Sequence, residues 1–147
     1  YYTRGHVAQT PTLGLHQTRI ARSGEEATLI CYGPMVDTCV EAAKEASQEG
    51  RKLEVIDVRS LSPLDMATVY ESVRRTTRAI VVQEAPRTQG VGAEIAARLG
   101  EELYYVMEAP VLRVTGWSTP YPPAKAEGEH IPDVDRILDA VDRSLAF

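Results

Sequence analysis

Apolar residues fall along this chain in two alternating patterns. Short continuous apolar runs occupy Ala27–Tyr32, Leu53–Val58, Ala79–Gln83 and Val111–Thr115. Runs of that length, bounded by glycine, proline or charge, predict strands buried on both faces. Between them the apolar positions recur at helical spacing. Val36, Cys39, Val40 and Ala43 predict the inner stripe of a helix that Pro34 opens and Gly50 stops. Met66, Val69, Tyr70 and Val73 predict a second helix, with Ser62 as its cap, Pro63 at its first position and Asp65 at its third. Ile95, Leu99 and Leu103 mark a third, over Val91 to about Tyr105. Val134, Ile137, Leu138, Val141 and Leu145 mark a last one, capped by Asp133. Gln17–Ala21 predicts one further short strand, closed by Ser23-Gly24.

Strands that alternate with helices need crossover connections, so the pattern predicts an α/β fold: a parallel-rich sheet covered by helices on both faces. Residues 1–14 show neither period and read as a linker or tail, leaving 15–147 as the domain. The chain starts at Tyr1 rather than Met, so a processed product or a piece of a longer protein is expected.

The 147 residues carry a net charge of −5 and no basic run, which argues against nucleic acid or an anionic membrane surface as partner. No apolar stretch is long enough to span a bilayer and no secretory leader is visible. Cys31 and Cys39 form neither a CxxC pair nor a zinc spacing. They read as buried, reduced thiols, which suits a cytoplasmic protein.

The carboxyl ends of parallel strands are where such sheets bind ligands. Here they lead into Gly33-Pro34, Arg59-Ser60, Glu84-Ala85-Pro86-Arg87 and Gly116-Trp117. Gly90-Val91-Gly92 opens a helix after a strand, but Ile95 stands where a dinucleotide fingerprint needs a third small residue. The two glycines therefore read as a tight turn and close packing. No phosphate loop and no nucleophile elbow occur, and His6, His16 and His130 lie far apart. Glu84 and Arg87 are the most suggestive pair, read as an ion pair that fixes their loop. Asp135, Asp139 and Asp142 read as a solvated face with Arg136 and Arg143. The segment Gly116–Ala124 gathers Trp117, Tyr121 and three prolines, a stiff aromatic surface suited to a subunit contact. No catalytic, cofactor-binding or metal-ligating constellation emerges. Glu84, Arg87, Trp117, Tyr121 and Phe147 are the interface candidates.

Four blocks in order carry a resemblance. They are Ala27–Gly33 (ATLICYG), Val55–Asp65 (VIDVRSLSPLD), Val82–Arg87 with Gly90–Ala96 (VQEAPR, GVGAEIA), and Glu108–Gly116 (EAPVLRVTG). Together they resemble the C-terminal domain, of the transketolase C-terminal type, in beta subunits of thiamine-dependent 2-oxoacid dehydrogenases. Tyr121–Ala124 and Asp135–Leu145 look most like the actinobacterial branched-chain enzymes. Gln83 departs from the pattern, standing where relatives often have His, and Thr88-Gln89 replaces a small or aromatic pair.

The resemblance implies a three-layer α/β/α domain with a five-stranded mixed, mostly parallel sheet of order 13245, the first strand antiparallel. It implies an assembly and docking role in the decarboxylating component of a branched-chain 2-oxoacid (2-oxoisovalerate) dehydrogenase complex. Expected partners are the alpha subunit, a second beta subunit and the subunit-binding domain of the lipoyl-acyltransferase, which Phe147 is expected to help anchor. Thiamine diphosphate and magnesium belong to the parent enzyme. The family holds them through a GDG…N motif and an activating glutamate elsewhere. This chain has no GDG and no asparagine, so it is expected to bind neither and to be inactive alone. The alternatives are the same domain from pyruvate dehydrogenase, a free-standing α/β module for a small molecule, or an anion-binding regulatory domain using Arg59 or Arg87.

Overall fold

A computed structural model describes residues 13–147. The expected linker at 1–14, with His6, therefore falls almost entirely outside the described residues. Five strands form one sheet: β1 (Arg19–Arg22), β2 (Ala27–Cys31), β3 (Leu53–Asp57), β4 (Ala79–Pro86) and β5 (Leu112–Gly116). Their order is β1-β3-β2-β4-β5, with β1 antiparallel to β3 and the remaining pairings parallel. This is the expected 13245 sheet. Four helices cover it: α1 (Met35–Gln48), α2 (Ala67–Thr76), α3 (Val91–Leu103) and, after a short turn of helix α4 (Glu127–His130), α5 (Val134–Leu145).

Each inner strand splits its side chains between two cores, as a pleat of period two requires. Leu29, Cys31, Val55, Ile80 and Val82 face α1 and α5. Ile30, Ile56 and Val81 face α2 and α3 with Val69, Val73, Ile95 and Leu99. Because these side chains are fully buried, truncating Leu29 or Ile30 to Ala is expected to cost about 2–5 kcal/mol.

Two helices sit differently from the sequence pattern. The inner face of α1 is Met35, Cys39, Ala42, Ala43 and Ala46, while Val36 and Val40 are only partly buried. Small side chains let the helix approach the sheet closely, so the alanines turn inward. The start of α2 also moves. Ser62 and Pro63 belong to a turn, joined by a cis peptide, in which Ser60 Oγ donates to the Pro63 carbonyl. The helix begins at Ala67, and Asp65 accepts from the Ala67 N–H and the Thr68 hydroxyl. Asp65, not Ser62, satisfies the first turn. Asp133 caps α5 as expected, accepting from Arg136 N–H at 2.8 Å.

One polar cluster lies under α2. Glu54, 1% exposed, accepts from Ser72 Oγ and twice from Arg75 Nη2 at 2.7 Å, and Ser72 in turn meets Thr28 Oγ1 at 2.8 Å. Every buried acceptor there has a donor, as burial of a carboxylate demands. Cys31 and Cys39 are buried and unpaired, and Cys39 together with burial pushes the Cys31 thiol up.

Candidate functional site: the carboxyl ends of β2, β4 and β5

Three strands deliver side chains to one end of the sheet. Tyr32 follows β2, Gln83 and Glu84 lie in β4, and Gly116-Trp117 ends β5. At their centre is Gln83, fully buried. Its Oε1 accepts from the Gly92 N–H at 2.7 Å and from the Tyr32 hydroxyl at 3.1 Å. Its Nε2 donates to the carbonyls of Ala85, at 3.2 Å, and Pro86, at 3.0 Å. An amide provides two donors and an acceptor with two lone pairs, and here all are used. The side chain is thus a clamp that fixes the 85–92 loop and the start of α3. It leaves no acid or base at this position.

The two loop glycines serve that clamp. A Cβ on Gly92 would lie 2.6 Å from Gln83 Oε1 and 3.0 Å from Val81 Cγ1, and one on Gly90 would lie 2.0 Å from Gln83 Nε2. Close packing, not a phosphate cradle, requires them. Burial and the neighbouring Glu84 charge push the Tyr32 hydroxyl above its usual range.

Beyond β5 the aromatic segment packs back on its own domain. Trp117 Nε1 donates to the Glu129 carbonyl at 2.9 Å, and the Arg136 guanidinium lies 4.4 Å from the Trp117 ring centre. Tyr121 donates to Glu127 and meets the buried His130 ring edge-on at 5.1 Å. The bond to Glu127, then burial, then the charges of Glu127 and Glu84 push the Tyr121 hydroxyl up to about 12. His130 in turn is seated against Gly116, where an added Cβ would fall 2.9 Å from its Nε2. Trp117 is still 54% exposed, Tyr121 61% and Phe147 72%.

The structure corrects two expectations drawn from charge. Among the described residues Arg87 has no ion pair, with Glu84 or any other carboxylate. Its Nη1 donates to the Arg113 carbonyl at 3.3 Å, and Arg113 Nη1 donates back to the Arg87 carbonyl at 3.0 Å. Arg136 is not on a solvated face: its Nη2 donates to the Thr115 carbonyl at 2.5 Å and it is partly buried. Only Arg143 pairs along α5, with Asp139 at 3.7 Å, while Asp142 pairs with Arg51 at 3.2 Å. Sequence reasoning missed Arg113, whose partner at the neighbouring strand end lies 26 residues away. Arg87, Arg113, Arg136 and Arg143 line a groove of about 730 Å³ between β5 and α5, together with Trp117.

Compared with known proteins, residues 16–137 match the family described as transketolase, C-terminal domain. The beta subunit of the pyruvate dehydrogenase E1 component from Leifsonia xyli is 52% identical over 100% of this chain and 44% of that protein. The 3-methyl-2-oxobutanoate dehydrogenase subunit beta of Mycobacterium tuberculosis is 46% identical over 99% of this chain and 42% of that protein. The chain thus spans less than half the length of these relatives. Among solved structures, a split-gene transketolase, an inactive beta4 tetramer, superposes with a TM-score of 0.81 at 26% identity. That match covers 95% of this chain and 45% of the other. A 2-oxoglutarate:ferredoxin oxidoreductase from Magnetococcus marinus shares the fold alone, at 16% identity and a TM-score of 0.55 over 87% of this chain and 19% of that one.

Proposed function

The chain belongs to the transketolase C-terminal domain family, and from that premise we propose that it is the assembly and docking domain of the beta subunit of a thiamine-dependent 2-oxoacid dehydrogenase. The observation that carries this is the pairing of 52% and 46% identity to two such beta subunits with a strand-end region whose polar groups are spent on structure. Gln83, the natural position for chemistry, is saturated by main chain and Tyr32. At this end of the sheet Trp117 and Tyr121 stay exposed, the amphipathic area that subunit contacts use, while Phe147 is exposed at the opposite end, just past Ser144, whose carbonyl meets Arg78 before β4.

The donors present do not fit a magnesium diphosphate. Among the described residues no three His, Cys, Asp or Glu side chains converge, and the chain has no asparagine. The cofactor is, in this reading, held by other parts of the assembly, and no step of its chemistry is placed on these residues. In this reading the chain works with an alpha subunit, a second beta subunit and the subunit-binding domain of the lipoyl-acyltransferase, in the cytoplasm. Among the described residues no helix is long and apolar enough to cross a membrane.

Two substrate readings stand within it. The Tyr121–Ala124 and Asp135–Leu145 segments favour a branched-chain 2-oxoacid, 2-oxoisovalerate. The higher identity to a pyruvate dehydrogenase subunit favours pyruvate. The test is reconstitution. The 147-residue chain alone, with thiamine diphosphate and magnesium, is expected to turn over neither acid. The full-length subunit with its alpha partner is expected to decarboxylate one of them. Turnover by the isolated chain would overturn the assembly role, and the preferred acid of the complex decides between the two substrates.

A further inference from the structure

The groove between β5 and α5 concentrates positive charge on a chain whose net charge is −5. Arg87, Arg113 and Arg136 line it, and among the described residues none of the three pairs with a carboxylate. A fourth, Arg143, is shared with Asp139 at 3.7 Å. Asp135 and Asp139 line the same groove, so four arginines face two carboxylates there and an excess of positive charge is left for an anionic partner.

The arginines are also held in place. Arg87 and Arg113 each donate to the other's carbonyl, and Arg136 donates to Thr115. The carbonyls of Arg113 and Thr115, two residues apart, lie on the same edge of β5, the outermost strand. A guanidinium has five N–H donors, so anchoring one leaves most of the Arg87 and Arg113 forks uncommitted. Arg136 Nη1 is buried with no hydrogen-bond partner at all. Because arginines already occupy these edge carbonyls, the strand is shielded against pairing with another strand. Recognition here runs through side chains.

We propose that this groove docks an acidic segment of a partner protein, its carboxylates received by Arg87 and Arg113, with Arg136 adding charge from the groove wall. The inference rests on the assembly reading and specifies one of its contacts. Planar forks match carboxylates bidentately, and arginine clusters are a recurrent device for acidic peptides. The remaining lining favours a peptide over a compact polyanion. Leu112 and Ala140 give the groove an apolar part, Trp117 offers a half-exposed ring, and Asp135 and Asp139 stand on the α5 side. Those two carboxylates repel a dense phosphate, whereas an extended chain spaces its charges and avoids them.

The probe is fluorescein-labelled hexaglutamate, titrated with the 147-residue chain at low ionic strength and read by anisotropy. Hexalysine is the control and tripolyphosphate the competitor. Binding of hexaglutamate is expected, absent for hexalysine, suppressed by salt, and weakened at least fivefold by combined Arg87→Glu and Arg113→Glu with an unchanged melting temperature. Should that variant unfold, Arg87→Gln with Arg113→Gln replaces it. No binding, equal binding by the variant, or displacement by tripolyphosphate at lower concentration than by unlabelled peptide overturns the proposal. Light scattering of the full-length subunit with its alpha partner separates the two ideas. Assembly lost only in the variant supports the acidic docking segment. Assembly unaffected in the variant overturns it and leaves the assembly reading standing. Failure of the wild-type subunit to assemble overturns that reading, while the peptide titration still decides the groove.

Discussion

Gln83 shows how one residue fixes a loop. Four partners converge on its amide, and three of them are main-chain groups of the 85–92 segment. Replacing it by Leu keeps the volume near that of the native side chain but strands the buried Gly92 N–H and deprives the partly exposed carbonyls of Ala85 and Pro86 of their donor. Each such orphan costs about 1–3 kcal/mol. Since the loop relaxes toward water, we expect a net loss of about 2–4 kcal/mol for Gln83→Leu in urea unfolding. We further expect Gln83→His to cost less than Gln83→Leu, because an imidazole retains one donor and one acceptor. Equal losses would mean that shape, not hydrogen bonding, holds the loop. None of this was legible in the sequence, where Gln83 closed an apolar run and its partners lay up to nine residues ahead, at Gly92, and 51 behind, at Tyr32.

The elements themselves were largely legible, because an apolar run buried on both faces leaves no other periodicity to compete with it. The misreadings have physical causes. In α1 the hydrophobicity of Val36 and Val40 suggested the inner stripe, but proximity to the sheet rewards Ala42, Ala43 and Ala46. At α2 the Ser-Pro-x-Asp spelling fits a capped start, yet the turn holds Ser62 and Pro63 outside the helix, and Asp65, one residue before the N-cap Met66, accepts the Ala67 N–H. Asp65 also accepts from the Thr18 N–H at 2.9 Å, so it ties the segment before β1 to α2. Burial pushes its carboxyl up, but the hydrogen bonds from Thr18, Thr68 and Ala67 outweigh this and hold it below the ordinary carboxylate value. A carboxyl whose value is lower in the fold than in the unfolded chain stabilises above the ordinary value, and loses that contribution as pH falls through the lowered one. Asp65→Asn should therefore weaken the fold at neutral pH by about 0.3–1 kcal/mol, because a neutral amide oxygen accepts these hydrogen bonds near the start of α2 less strongly than a carboxylate. The gap between wild type and variant in thermal unfolding should close as the solution is acidified below the ordinary carboxylate range. A gap that stays constant into acid would show that the charge of Asp65 contributes nothing.

On the scale of the whole molecule, the candidate site was legible in its aromatic half and hidden in its cationic half. Trp117 and Tyr121 stand out because a stiff, Pro-rich segment advertises itself in composition. Arg113 does not, because only the β4–β5 register carries it beside Arg87. Trp117 is the chain's only tryptophan, so its fluorescence reports this surface alone. Its indole N–H is already bonded to Glu129 and one face is covered by Arg136, yet 54% of the residue meets water. If the 116–124 segment lies in a subunit contact, assembly of the full-length protein removes water from the remaining surface while leaving those two internal contacts in place. In the 147-residue chain the emission is expected to be that of a partly hydrated indole, quenched by iodide. In a full-length subunit, other tryptophans are first replaced by Phe so that Trp117 alone is read. Its emission is then expected to move to shorter wavelength on adding the alpha partner, with iodide quenching reduced. Arg136→Met separates the internal contact from the external one. It removes the cation over the ring, worth about 0.5–2 kcal/mol to this fold, and should shift the emission of the isolated chain without abolishing the change on assembly. An emission maximum and quenching constant unaltered by assembly would take Trp117, and with it this side of the arginine groove, out of the subunit interface.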